Sequence, residues 1–513
     1  MTVHAPDPVP TATPAPVSSV SLRRMPPWYR TLFWVDALER FGFYGMSAIL
    51  LLFAAAPRDE GGLGMSIADA GSLFGVWISL MFMLSLLGGW LGDRVFGHRR
   101  ALVVGALVST AGYACLATPA TWMVAVGLCA TALGGAVFKP NHQALVNRMF
   151  GDRRGRESGI SLMYVGTQLS SLLAPLVAGF VGERVNWQLG FACAAVTMLV
   201  TAFWLTSTTR QFSGVGDRPI RPLGADERRS AGRRTAVTAL AVALVLVGLG
   251  VRGKLTPLVA IALIGLLSIF LTIAGYLWLY RNPLLSAADR RRLRAFLWVY
   301  LGATLFWMIN AQGGSVLTAF ARDETDRDVL GWLVPASWMQ SVTPLFMLFL
   351  APVAASMLPR YGRRHALAGR FSVGLLLAGG SFLVMALAAA LAAGDAKVSP
   401  MWLIICYLIT AVAELIIAAI SISACADVLP AQFLGRVMGL YWLFAAVGGG
   451  FGNGALARVA ASAPLDGYFT VVGGVAVLAG LAFVLFRRRL AAALAKEPDE
   501  APSSAPQESL ITT

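Results

Sequence analysis

Phe33–Gly45 reads F-W-V-D-A-L-E-R-F-G-F-Y-G and sets Asp36, Glu39 and Arg40 inside a segment that is otherwise apolar from Leu32 to Ala56. At helical spacing, positions i, i+3, i+4, i+7 and i+8 share a face, so Asp36, Glu39, Arg40, Phe43 and Tyr44 form one polar and aromatic stripe. Each ionised group near a bilayer centre costs about 2.5 to 3.5 kcal/mol on insertion scales, so three within two turns must pair around a watery cavity. The plainer alternative is a buried ion pair that only locks helices together.

The rest of the chain supplies the bilayer setting. Of its 513 residues 57% are hydrophobic and 13% charged, and the mean hydropathy is +0.70. No soluble core needs so much apolar sequence, and the reading is an all-α polytopic membrane protein. Fourteen stretches are long enough to cross, at about 20 residues each. The five cysteines (Cys115, Cys129, Cys193, Cys406, Cys425) lie within spans without the spacing of a metal site or disulfide framework. No metal site and no cofactor are expected. The net charge of +15 concentrates in alternate short loops, where it sets orientation rather than binding nucleic acid.

In chain order, residues 1–27 read as a disordered cytoplasmic tail with no signal peptide. Residues 28–208 form a first bundle of six helices, and 209–293 a cytoplasmic linker carrying two extra spans near 235–251 and 257–280. Residues 294–488 form a second bundle of six, and 489–513 a second cytoplasmic tail. Arg94, Arg99 and Arg100, then Arg148 to Arg156, then Arg210 to Arg234 alternate with sparsely basic loops, which fixes both termini in the cytoplasm. The extra pair is almost free of polar residues and reads as spacers facing lipid. Gly97-His98-Arg99-Arg100-Ala101-Leu102 follows the second span of the first half, and Gly362-Arg363-Arg364-His365-Ala366-Leu367 follows that of the second. A basic turn recurring at one place in each half marks a transporter of pseudo-symmetric halves with its substrate site between them.

Two further clusters carry chemistry. Lys139 lies nine residues before Arg148 and Arg40 ten after Arg30, so both cations sit roughly 14 Å inside one face. Pro140 frees a backbone carbonyl beside Lys139. His142, one turn on, reads as a packed or hydrogen-bonded histidine rather than a proton relay. In the second half Glu414 is the one acidic residue deep in a span, and it needs a cation: a substrate amine, a proton, or Arg40 and Lys139 across the cleft. Such a two-pole site would clamp a zwitterion.

These residues resemble the proton-dependent oligopeptide transporters of the major facilitator superfamily. Asp36–Gly45 is similar to that family's E-x-x-E-R-F-x-Y-Y-G signature, Phe138-Lys139-Pro140-Asn141 to its F-K-P-N, and Glu414-Leu415 to its G-E-L. The loop Gly89, Asp93, Arg94, Gly97, Arg99, Arg100 resembles the superfamily's G-x-L-x-D-R-x-x-G-x-R-R. Tyr164 to Gln168 with Ala174-Pro175, Phe306-Trp307 with Gln312-Gly313, and Gln340-Ser341 with Pro344 to Phe346 resemble spans five, seven and eight. The resemblance runs from about 27 to 488.

It implies a major facilitator fold with two inserted helices, and proton-driven import of di- or tripeptides across the plasma membrane by a monomer, with the proton as coupling ion. Proton coupling falls to Asp36, Glu39, Arg40 and Lys139. Substrate binding falls to Arg40, Phe43, Tyr44, Lys139, Gln168, Asn310, Gln312, Thr343, Glu414 and Tyr441, with Glu414 holding the peptide amino terminus. The departures are Asp36 for the first glutamate, Phe43 for the first tyrosine, Gln168 and Thr343 for asparagines, Tyr441 for a tryptophan and Ala311 for a span-seven carboxylate. They keep open a second cargo, a non-peptide amphiphile, anion or specialised metabolite. An enzyme is not expected: neither H-E-x-x-H nor G-x-S-x-G occurs.

Overall fold

The computed structural model describes residues 22–494, except 151–152, 221, 225, 231, 234–247, 249, 254–255, 363–366 and 393–395. Most of both tails, nearly all of the span near 235–251 and the second basic turn at 363–366 therefore lie outside the described residues.

The first half contains α1 (Pro27–Ala55), α2 (Ile67–Leu91), α3 (His98–Leu116), α4 (Thr121–Met149), α5 (Arg153–Arg184) and α6 (Trp187–Ser207). The inserted α7 (Pro257–Tyr280) follows. The second half contains α8 (Ala287–Asn310), the short α9 (Val316–Asp323), α10 (Val342–Gly362), α11 (Leu367–Leu391), α12 (Met401–Asp427), α13 (Leu434–Ala445), α14 (Asn453–Ala460) and α15 (Leu465–Leu494). Among the described residues twelve helical segments are long and apolar enough to cross a membrane, α8 with α9 and α13 with α14 each forming one. Helix α3 misses that group because Arg99 and Arg100 stand in its first turn. With α3 thirteen of the expected spans are seen as helices, and the expected span near 235–251 falls almost wholly outside the described residues.

Each half has its own core. Tyr29, Phe74, Phe138 and Phe191 belong to one cluster, and Phe296, Phe371, Phe382 and Tyr441 to the other. Glycines let helices cross closely within a half: a Cβ on Gly88 of α2 would lie 2.0 Å from the Ala136 carbonyl oxygen of α4. They do the same between halves, where a Cβ on Gly75 would lie 2.6 Å from the Gly450 carbonyl oxygen.

Two spans of the second half are broken, which period alone does not show. A 3-10 turn, Ala311–Gly314, separates α8 from α9, and a π-helical stretch, Ala446–Gly452, separates α13 from α14. The second break contains Gly448, Gly449, Gly450 and Gly452, where missing side chains lower the cost of an irregular ladder. The last helix runs on to Leu494, past the expected boundary at 488, because no glycine or proline stops it before Pro498. A small hairpin, β1 (Asp328–Val329) and β2 (Trp332–Leu333), was not expected from the sequence. Leu330 (φ 56°) and Gly331 (φ 82°) both take the positive φ that such a tight turn requires.

Helix α7 departs from a spacer bathed in lipid. Leu266, Phe270 and Ile273 are exposed, but Ser268 and Thr272 are fully buried against the bundle. Their hydroxyls donate to the Gly265 and Ser268 carbonyls of their own helix at 2.8 and 2.7 Å.

Candidate functional site

The opening stripe folds as one helical face and divides into two ion pairs. Arg40 Nε and Nη2 donate to the two carboxylate oxygens of Glu39 at 2.6 and 2.5 Å. Lys139 Nζ, from α4, donates to Asp36 Oδ1 at 2.8 Å, and Thr167 of α5 donates to Asp36 Oδ2 at 3.2 Å. The partner of Lys139 is thus Asp36, and Glu39 is occupied by its own neighbour. Pairing two cations with two carboxylates is what makes these charges tolerable at this depth.

Beside the pairs lies a cavity of about 610 Å³ between the halves. Of the ten substrate-binding residues expected from sequence, Arg40, Phe43, Tyr44, Lys139, Gln168, Asn310, Thr343 and Glu414 line it. Phe43 carries the Arg40 guanidinium 4.8 Å over its ring and stacks on Trp77 at 5.2 Å. Glu414 stands on the opposite wall within hydrogen-bonding reach of the Asn310 amide. The cavity therefore has cations on the first half and one carboxylate on the second.

The other two sit behind the wall. Gln312 is fully buried, and its side-chain oxygen accepts from the Tyr468 hydroxyl at 2.6 Å. Tyr441 is buried, and its hydroxyl accepts from Trp307 Nε1 at 3.0 Å. Trp307 itself faces the cavity, so Tyr441 orients a lining residue. Asp36 and Glu39 likewise lie behind the lining, 3% and 4% exposed.

Sequence reasoning missed Tyr407 and Thr410, which line the cavity from α12 together with Glu414. Counting back from Glu414 by four and then three residues, the step of one helical face, would have found them. The Tyr407 hydroxyl is buried with no partner among the described residues.

The superfamily-like loop has another role. Residues Gly92–Phe96 are π-helical, and Gly97 takes φ 80°, where a Cβ would lie 2.6 Å from the Gly216 carbonyl oxygen. Arg94 pairs with Glu227 at 2.9 Å, Arg99 pairs with Asp217, and Asp93 lies 3.5 Å from His98. Gly89 is partly buried on α2 and Arg100 is exposed. The motif thus fastens the first half to the segment after α6, away from the cavity.

At the end of the bundle opposite these arginines the halves are tied together. Arg458 of α14 pairs with Asp69 of α2 at 2.6 Å. Glu183 of α5 accepts from the backbone amides of Ala336 and Ser337 at 2.9 Å each, and from the Ser337 hydroxyl at 2.5 Å.

The chain is similar to known proteins over most of its length. A Bacillus subtilis protein described as an uncharacterized transporter is 31% identical over 455 residues, covering 88% of this chain and 91% of that one. A di-/tripeptide transporter of Lactococcus lactis subsp. cremoris is 27% identical, covering 89% and 94%. Among solved structures, a peptide transporter POT in complex with sulfate superposes with a TM-score of 0.88 at 34% identity, covering 93% and 98%. A POT family transporter in complex with 5-aminolevulinic acid gives 0.87 at 28%, covering 93% and 100%. The model of the POT family matches residues 99–470, and with that match the chain belongs to the POT family of membrane transporters.

Proposed function

We propose that this protein is a proton-coupled symporter that imports di- and tripeptides by alternating access, with both termini in the cytoplasm and the proton as its one coupling ion. The observation that carries the reading is the two-pole cavity. Arg40 and Lys139 stand on the first half and Glu414 on the second, around a space of about 610 Å³. A zwitterion bridging those walls draws the halves together, which is the coupling of binding to closure that alternating access needs. The cavity lies within one chain, so the working unit is a monomer in the plasma membrane. The latches Asp69–Arg458 and Glu183–Ser337 close the outer end in this reading.

Purified protein in proteoliposomes, with an imposed inward proton gradient and a labelled dipeptide, tests it. Uptake above the external concentration, abolished by a protonophore and competed by unlabelled di- and tripeptides, is the expected result. Uptake that ignores the gradient or the competitors refutes it.

One observation favours a second cargo. Ala311, where the family resemblance places a carboxylate, lines the cavity. The amine pole then rests on Glu414 alone, which suits a short amino acid as well as a peptide. The relative bound to 5-aminolevulinic acid is similar to this chain. Competition by that compound without competition by dipeptides would select this reading.

A further inference from the structure

His142 lies one turn beyond Lys139 on α4, 2% exposed and stacked on Phe138 with ring centroids 6.0 Å apart. Both its nitrogens face acceptors on α1. Nε2 lies 2.9 Å from the Leu32 carbonyl oxygen, and Nδ1 lies 3.4 Å from Asp36 Oδ1. A carbonyl oxygen can only accept, so Nε2 carries a hydrogen. A neutral imidazole has one N–H, and Nδ1 then turns its lone pair toward an ionised carboxylate.

In this state Lys139 makes that arrangement tolerable, because its Nζ lies 2.8 Å from the same Asp36 Oδ1. The three groups differ in access. The Lys139 side chain is 28% exposed, whereas those of Asp36 and His142 are 4% and 2% exposed. Lys139 lines the cavity and the other two do not. A cargo carboxylate therefore meets Lys139 and not the groups behind it. When Lys139 turns to the cargo, Asp36 keeps its charge and loses its cation.

We propose that His142 Nδ1 takes up the transported proton when Lys139 leaves Asp36 for the carboxylate of the cargo. The inference rests on the symport reading above. The proton enters from the outer aqueous phase through the cavity and adds to the Nδ1 lone pair. The resulting imidazolium replaces the ammonium beside Asp36. One N–H bond forms; it breaks again when cargo departs inward and Lys139 returns. The proton settles on the ring rather than on Asp36 because imidazole is the stronger base.

The neighbouring ionisable groups agree with this assignment. Helix α1 presents Asp36 and Glu39, and Glu39 is already held on both oxygens by Arg40. Tyr29 of α1 donates its hydroxyl to the Gly159 carbonyl at 2.6 Å. On α4 the charged neighbour is Lys139. Helix α5 contributes Thr167, which donates to the other Asp36 oxygen and does not ionise in this range. Nδ1 is thus the vacant basic position next to the carboxylate that Lys139 abandons.

Nitrogen NMR of the full chain in nanodiscs, with 15N-labelled histidine and the His142 signals assigned by H142Q, tests the assignment at neutral pH. The cargo-free wild type should show one protonated and one bare ring nitrogen. Lys139→Ala, and the wild type saturated with dialanine, should both show the two near-equal shifts of an imidazolium. A ring that stays neutral in both overturns the proposal. In proteoliposomes, H142Q should accumulate labelled dialanine only to the level reached without a pH gradient, while counterflow exchange remains measurable. Full gradient-driven accumulation by H142Q also overturns it. The Lys139→Ala spectrum needs no cargo, so it decides the role of His142 even if wild-type uptake of dialanine fails and the peptide reading falls.

Discussion

The cavity discriminates through few side chains, and their unequal surroundings give each a separable effect. Glu414 has the Asn310 amide beside it, and the cations across the cavity, Arg40 and Lys139, are paired with Glu39 and Asp36. Glu414→Gln removes the charge that meets a cargo amine, an interaction worth about 2 kcal/mol when desolvated, so binding of a free-amine dipeptide should weaken roughly 30-fold. Binding of the N-acetylated dipeptide should be the same in both proteins; titration calorimetry of the pair measures this. The Tyr407 hydroxyl has no partner among the described residues, so Tyr407→Phe should leave the Tm unchanged. It should weaken cargo binding by about fivefold, in keeping with about 1 kcal/mol for a neutral hydrogen bond to the ligand. The charged members of the site were legible because an ionised residue in an apolar span has so few tolerable positions. Tyr407 and Thr410 were not, because Tyr and Thr are ordinary in apolar helices and signal nothing alone. Gln312 and Tyr441 misled for a related reason: their sequence places them near the cavity, but Tyr468 and Trp307 hold their polar atoms elsewhere.

At the scale of helices, spans were read from apolar length and basic loops, since the bilayer imposes both. The breaks at Ala311–Gly314 and Ala446–Gly452 were not, because they depend on which neighbours supply the missing packing. Glycines on α2 separate two kinds of helix contact. Gly88 packs on Ala136 within the first half, and Gly75 packs on Gly450 and Gly454 across the interface. Gly88→Ala forces two helices apart that stay together throughout the cycle, so it should lower stability by about 2 kcal/mol, the common cost of overpacking. Gly75→Ala separates helices that must part anyway, and should leave each half folded while favouring opening of that end. Thermal unfolding should fall clearly for the first variant and little for the second. Spin labels at exposed positions 58 and 462 should show a longer mean distance only for the second.

For the whole molecule, the state seen is held by latches at one end. Glu183 accepts three hydrogen bonds from the start of the segment before α10, and Asp69 is bound by Arg458. Glu183→Gln replaces charge-assisted bonds with weaker neutral ones, a loss of about 1 to 2 kcal/mol, and should shift the open-to-closed ratio at that end roughly tenfold. Cysteine accessibility at Ser47, which lines the cavity, to an impermeant thiol reagent added from outside measures the shift. Joined with Arg458→Ala, the effect should exceed that of either change alone, since the two latches lie on different seams.

Helix α7 gives one of those seams a different character. Its polar contacts run to the second half: the Tyr276 hydroxyl donates to the Leu293 carbonyl at 3.4 Å, and Arg436 lies 4.5 Å over the Trp278 ring. Leu279 belongs to the second half's core. Against α2 of the first half it also packs, with Ser268 and Thr272 spending their hydroxyls on their own helix. The helix is thus an outrigger carried by one hull and greased where it meets the other. As the halves rock, α2 glides along it, and the flank it covers stays shut to lipid tails.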